Sequence, residues 1–260
     1  MVIDHTLNGA PMGAEISPGP AQFTLSLTAA NAVDRVEFLK DNILEKMIVH
    51  SGTWERQPLP GRFAFKFEVE FGWGPETRLF PDAALKVWEG SLQVPGHLMG
   101  VEKLWNSFGQ QILEWRDDRC DFRLTTHRGT ETGKWMGPSQ VRRESLVFEV
   151  EGGIDDVLTL TVDGEQYALP VRMLLQGTRI YAQYSQCERR IIKKFGPTPH
   201  YRDDFIWHCA FKFRVRRAVP SPAYTLNESF TTTLDAGSQY RLRVWLKNGD
   251  AAWTSPIFCR

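Results

Sequence analysis

Tyr240-Arg-Leu-Arg-Val-Trp-Leu246, followed by Lys247-Asn-Gly-Asp250 and by Ala251-Ala-Trp-Thr-Ser-Pro-Ile-Phe-Cys-Arg260, is the stretch whose reading decides the fold. Tyr240, Leu242, Val244 and Leu246 alternate with Arg241, Arg243 and Trp245, the two-residue period of a strand with one buried face. The Asn248-Gly249 pair between two such runs predicts a β-hairpin, because Asn-Gly supplies the two positive φ angles of a type I′ turn. A closing hairpin of this kind belongs to a sandwich. The same alternation runs through Arg62-Phe-Ala-Phe-Lys-Phe-Glu-Val-Glu-Phe71, which puts Phe63, Phe65, Phe67, Val69 and Phe71 on one face and Arg62, Ala64, Lys66, Glu68 and Glu70 on the other. The second face reads as the wet side of an antiparallel sheet.

Further strands are predicted at Gln22 to Thr28, Arg35 to Leu39, Ala84 to Val94, Asp121 to Thr126, Ser145 to Val150, Val157 to Val162, Gln166 to Leu174, Arg179 to Tyr184 and Phe205 to Arg216. Asp163-Gly164 marks a second hairpin. Asp34 to Met47 fits a helix and a strand with a turn equally well. Roughly a dozen strands define an all-β, antiparallel β-sandwich protein. The outer segments, 1–70 and 205–260, read as the halves of a discontinuous immunoglobulin-like sandwich with a β-rich domain, 71–204, inserted between them. A single merged sandwich is the alternative.

Composition narrows the function. The 31 basic and 31 acidic residues cancel, so no field of one sign draws in nucleic acid or an anionic membrane. Cys120, Cys187, Cys209 and Cys259 are far apart and form no C-x-x-C pair, the pattern of buried thiols rather than of a zinc ribbon or redox dithiol. The opening Met1-Val-Ile-Asp-His-Thr-Leu-Asn-Gly9 lacks the basic-then-apolar character of an export signal, and no run reaches the roughly 18 apolar residues of a membrane helix. The chain as given therefore reads as soluble, with the cytoplasm as the favoured location and no membrane partner.

Three stretches resemble the region that follows the catalytic barrel in metal-dependent hydrolases of the PHP (polymerase and histidinol phosphatase) superfamily. They are Asp4-His-Thr-Leu-Asn-Gly-Ala-Pro-Met-Gly13, Val33-Asp-Arg-Val-Glu-Phe-Leu-Lys-Asp41 and Tyr240 to Phe258; Val87-Trp-Glu-Gly-Ser-Leu-Gln-Val94 is more loosely similar. The similarity covers both ends of the chain and little of its middle. It implies a non-catalytic accessory β-sandwich whose partner is a PHP-type catalytic domain. The family's barrel holds its metals with His-x-His pairs, and the six histidines here form none, so no metal-ligand role carries over.

His200-Tyr-Arg-Asp-Asp-Phe-Ile-Trp-His208-Cys209 offers imidazole, carboxylate and thiol groups, but an extended strand would turn His208 away from Cys209. Gly129-Thr-Glu-Thr-Gly-Lys-Trp135 has a three-residue spacer and Trp after Lys, which a phosphate loop does not tolerate. The doublets Asp117-Asp118, Asp155-Asp156 and Asp203-Asp204 read as solvated turns. Neither a metal nor a cofactor is predicted, and no catalytic residue. Trp54, Trp73 and Trp135 stand in loop-like contexts, where each ring either stacks on a glycan or small molecule or folds back over the sandwich end. The sequence thus supports a structural or ligand-presenting accessory protein. It leaves open a carbohydrate-binding module using those tryptophans, and a hydrolase whose middle domain gathers His127, Glu131, Asp203 and His208.

Overall fold

The computed structural model describes residues 1–103, 110–128, 141–197 and 204–260. The chain opens with β1 (Val2–Leu7), β2 (Glu15–Ile16), β3 (Gly19–Thr28), β4 (Val33–Lys40) and β5 (Ile43–Val49). Next come β6 (Arg62–Trp73), β7 (Leu85–Gln93), β8 (His97–Lys103), β9 (Gln110–Trp115), β10 (Arg119–Arg128), β11 (Val141–Arg142), β12 (Glu144–Gly153), β13 (Val157–Val162) and β14 (Glu165–Pro170). Helix α1 (Val171–Gln176), β15 (Arg179–Ala182), α2 (Tyr184–Phe195), α3 (Asp204–Cys209) and β16 (Lys212–Val215) follow. The chain closes with β17 (Val219–Pro220), α4 (Ser221–Tyr224), β18 (Thr225–Leu234), β19 (Gln239–Leu246), β20 (Ala251–Trp253) and β21 (Ile257–Cys259). Two compact units result, one of Met1–Phe63 with Val219–Arg260 and one of Ala64–Ala218. The unit boundaries fall at 63/64 and 218/219, against 70/71 and 204/205 expected from the sequence.

The first unit packs a three-stranded sheet, β1-β3-β18, against a six-stranded sheet ordered β2-β21-β19-β4-β5 with β20 beside β19. That connectivity is the immunoglobulin arrangement, strands A, B and E facing G, F and C. Its core interleaves Phe23, Leu25 and Leu27 of β3 with Val36 and Phe38 of β4 and with Tyr240, Leu242 and Val244 of β19. Phe23 meets Phe38 edge-on at 5.2 Å and stacks on Phe230 at 4.5 Å. The Tyr240 hydroxyl accepts the Asp235 backbone N–H at 2.9 Å, which pins the turn into β19 in the manner of a tyrosine corner.

Turn chemistry fixes the hairpins. Asn8-Gly9, Asp41-Asn42 and Asp163-Gly164 each place two successive residues at positive φ, as two-residue I′ turns require. The segment Asp34 to Met47 is therefore strand, turn and strand. Asn248-Gly249 departs from the expectation, since only Gly249 is left-handed, with φ of 93°. The Asn248 side chain bonds to the Asp250 N–H and carboxylate, the Gly249 N–H reaches Leu246 O at 3.0 Å, and Leu246 N–H reaches Asp250 O at 2.8 Å. The hairpin is consequently closed by a three-residue loop with a left-handed glycine.

The second unit contains a six-stranded sheet ordered β11-β10-β7-β13-β14 with β9 beside β10, and the five strands β15-β16-β6-β12-β8 of another. Phe71 of β6 packs on Trp88 at 5.1 Å, Phe122 at 5.9 Å and Phe213 at 5.5 Å, so the phenylalanine face of β6 is the core face. Its opposite face is not wet. Lys66 and Glu70 are buried, with Lys66 Nζ 2.8 Å from Glu102 and Glu70 held by Arg214, by Arg216 at 2.9 Å and by Arg143 at 3.4 Å. Long side chains from neighbouring strands lie across β6 because it is an interior strand, and burial raises the pKa of Glu68 on the same face.

Two sequence-predicted strands are partly helical. Pro170 ends the strand drawn over Gln166 to Leu174, and α1 buries Val171 and Leu174 one turn apart. Within Phe205 to Arg216 only β16 is extended, because α3 takes Asp204–Cys209. The alternation of Phe205, Trp207, Cys209, Phe211 and Phe213 imitated a strand across that helix. Helix α2 has no counterpart in the sequence reading; it begins at Tyr184, two residues beyond the end of β15, and buries Cys187 and Ile191 at i and i+4.

Candidate functional site

Trp54 lies in a short 3₁₀ turn and is buried in the core of the first unit, with Lys247 Nζ 5.3 Å from its ring, so its faces are closed to a stacked sugar. Trp73, at the end of β6, is half-buried under the guanidinium groups of Arg143 at 4.8 Å and Arg214 at 5.1 Å. Trp135, Glu131, Asp203 and His200 lie outside the described residues. His127 is exposed at the end of β10 and His208 is exposed on α3, which removes the strand geometry from which the His208–Cys209 argument began.

Asp117-Asp118 and Asp155-Asp156 lie at bends between strands, whereas Asp204 opens α3 and Asp203 lies outside the described residues. Asp117 pairs with His97, Asp118 accepts from Gln93 Nε2 at 2.8 Å, Asp155 pairs with Arg172 at 2.6 Å, and Asp156 accepts the Gly153 N–H at 2.8 Å. Among the described residues no three His, Cys, Asp or Glu side chains are placed to hold a metal ion.

Chemistry instead concentrates in the second unit, where α2, α3 and the adjoining strand ends bring cations onto aromatic rings. On α2 the guanidinium of Arg190 lies 5.1 Å from the Phe211 ring, and Lys194, one turn on, lies 5.1 Å from Phe80 and donates to Leu79 O. Lys86 sits 5.1 Å from Trp88 and 5.3 Å from Phe211. Its ammonium is neutralised by Asp163 at 2.8 Å, whose same oxygen accepts from the buried Gln183 amide at 2.9 Å. Lys212 caps the end of α3 by donating to Trp207 O and to Ala210 O at 3.3 Å, and its Nζ lies 5.3 Å from the Trp207 ring.

Arg128 completes the group. Its backbone N–H donates to Ala84 O at 2.7 Å, its Nη1 donates to Pro75 O, and its buried Nε has no partner among the described residues. Gly74 lets this loop close, since a Cβ there would lie 2.6 Å from Phe211 Cδ1 and 3.4 Å from Arg128 Nη1. Burial pulls the Arg128 pKa down despite the charge of Glu76, and burial with the charge of Arg128 pulls down that of Lys212. Among the described residues neither cation forms an ion pair with a carboxylate. Burial raises the Cys187 thiol to about 11 and raises Cys209 as well, so both are thiols rather than thiolates at neutral pH. Cys187 Sγ donates to Ile206 O at 3.3 Å, tying α2 to α3.

The charge of Arg128 reaches Lys212 and lowers its pKa, and an anion held by both would relieve that repulsion through charge-assisted hydrogen bonds. The sequence reading missed this pair because Arg128 and Lys212 stand 84 positions apart and neither sits in a motif. The sole sequence signal was the density of aromatic residues around them. No protein-family model matches the chain, and no curated protein matches it.

Proposed function

We propose that this chain is a non-catalytic, ligand-presenting β-sandwich protein that binds a small anion, carboxylate or phosphate, at Arg128 and Lys212. The observation that carries this reading is the Arg128 guanidinium, held at Pro75 O with its buried Nε unpartnered and no carboxylate paired to it among the described residues, and near enough to Lys212 for its charge to lower that residue's pKa. Catalysis then belongs to a separate domain, and the resemblance of both chain ends to the region after a PHP barrel names a PHP-type hydrolase as that partner. Titration calorimetry with inorganic phosphate and with malonate tests the site. Saturable binding that weakens about tenfold or more in Arg128→Gln, and further in Arg128→Gln/Lys212→Met, supports it, since each charge-assisted bond is worth about 1.5–3 kcal/mol. Binding by neither anion, or binding indifferent to both substitutions, overturns it.

A glycan-binding reading is favoured by one different observation. Trp253 is 55% exposed on the first unit, with its ring 6.1 Å from that of Trp245 and with Arg243 as its cross-strand neighbour. In this reading Trp253, rather than the loop tryptophans, is the stacking platform. Retention on an immobilised polysaccharide that Trp253→Ala abolishes distinguishes it from the anion site.

A further inference from the structure

We infer that the exposed side of α2 docks on an anionic lipid surface. The charges of the chain cancel in total, but they are not spread evenly. Four of the twelve residues of α2, Arg189, Arg190, Lys193 and Lys194, are basic, and Glu188 is its one acidic residue. Arg190 pairs with Asp82 at 3.5 Å. Arg189, Lys193 and Lys194 are exposed and form no ion pair among the described residues, so the outer side of the helix keeps a surplus of positive charge. Lys194 donates to the carbonyl of Leu79, which brings the exposed Arg78 to the same end of the helix. A charge balance taken over the whole chain averages this local surplus away.

Apolar side chains stand beside those cations. Cys187 and Ile191 hold the inner side of α2, so the helical period puts Tyr184, Ile192 and Phe195 on a flank next to Arg189 and Lys193. Ile192 is 43% exposed, Phe195 46% and Leu79 37%. Phe195 also crosses Phe80 edge-on at 6.0 Å, which fastens the end of the helix to the second unit. The two kinds of side chain together choose the partner. An acidic peptide or a nucleic acid satisfies the cations and gains nothing from Ile192, Phe195 and Leu79. A bilayer takes both, because apolar side chains enter the boundary between headgroups and acyl chains while basic neighbours stay among the anionic headgroups. Each basic residue held near such a surface strengthens binding about fivefold.

Co-sedimentation with vesicles tests the surface. The protein should pellet with vesicles of phosphatidylserine in phosphatidylcholine, stay in solution with phosphatidylcholine alone, and leave the first kind as the ionic strength is raised. Arg189→Gln/Lys193→Gln should weaken that binding about thirtyfold, and Ile192→Ser about threefold or more. All three side chains are exposed, so circular dichroism should stay that of the native protein. Failure to pellet with the phosphatidylserine vesicles overturns the proposal, as does equal binding to phosphatidylcholine alone or binding indifferent to these substitutions. Polyglutamate that binds as tightly as the vesicles, and equally well to Ile192→Ser, assigns the surface to an acidic protein and overturns the lipid.

Discussion

Lowering the pH from 7 to 4.5 should destabilise the first unit through a single residue, His5. Its side chain points inward from β1 beside Phe23, is 1% exposed, and neither ring nitrogen has a hydrogen-bond partner among the described residues. Burial lowers its pKa from 6.5 to about 4, against a smaller opposing pull from Asp4. Because the folded state holds the imidazole neutral, the unfolded chain binds the extra proton between these two values. Stability is therefore complete above pH 6.5 and falls with pH down to about 4, after which the loss is constant. The shift of roughly 2.5 units at 1.36 kcal/mol each caps the loss at about 3 kcal/mol, of which about 2.5 has occurred by pH 4.5. Against a typical total of about 5–15 kcal/mol, that is a large fraction. Urea unfolding of the wild type and of His5→Phe at pH 7 and 4.5 isolates the term, since the phenyl ring fills similar space and cannot titrate. The variant should be the more stable by about 1 kcal/mol at pH 7, having no buried nitrogen to leave unpaired, and its advantage should widen by about 2.5 kcal/mol at pH 4.5. Parallel pH profiles, or an imidazole titration near 6.5 by NMR, would refute the reasoning.

Other perturbations read other parts of the fold. Tyr240→Phe removes the acceptor of the Asp235 N–H and should cost about 1–2 kcal/mol in urea unfolding, with faster hydrogen exchange at that amide. Gly90→Ala puts a Cβ 2.5 Å from Phe122 Cζ and 2.7 Å from the Thr161 carbonyl oxygen, so β7 must move and thermal melts should show a loss of about 1–3 kcal/mol. Glu70→Leu strips the shared partner from Arg214 and Arg216, and the expected loss of about 3–5 kcal/mol should shrink when Arg214→Leu is added. Burial raises the pKa of Cys120 to about 12 and of Cys187 to about 11, so iodoacetamide at pH 8 should label neither thiol until urea unfolds the second unit.

How much was legible in the sequence varied with how local the determining physics is. The phenylalanine face of β6 and the alternation through β19 were readable because period two is enforced by the pleat itself. The I′ turn at Asp163-Gly164 was readable because two adjacent residue types suffice for it. Asn248-Gly249 failed the same test because the Asn248 side chain was claimed by Asp250, a contact two residues away that dipeptide propensity ignores. The polar face of β6 failed for a longer-range reason: Lys66 and Glu70 look solvent-facing until β12, β8 and β16 supply their partners. The candidate site lies at the far end of that scale. Arg128 ends β10 and Lys212 opens β16, strands of two different sheets, and the sequence reading merged β16 with α3 into one strand. Trp54 was visible as a tryptophan in a turn, while its burial depended on the assembled core of the first unit.

The split of the first unit poses a folding problem that the second unit answers. β4 must find β19, and β3 must find β18, across an intervening stretch of 155 residues, 64–218. Closing a loop grows costlier by about 0.6 kcal/mol per doubling, so exchanging a turn of a few residues for a disordered insert of this length costs only about 3 kcal/mol. An insert that folds into its own sandwich first fixes its two ends and removes even that cost from the docking of β18 and β19. Apart from β17 and the first two residues of β6, the second unit's sheets are built from its own contiguous chain, with a Phe71, Trp88 and Phe122 core of their own, which is what independent folding requires. Mutations in that core should therefore slow formation of the first unit although they touch none of its contacts. Gly90→Ala is the probe, since its clash lies wholly within the second unit. Stopped-flow refolding should show burial of Tyr240 delayed in the variant, and an unchanged rate would mean that β18 and β19 dock without waiting for the insert.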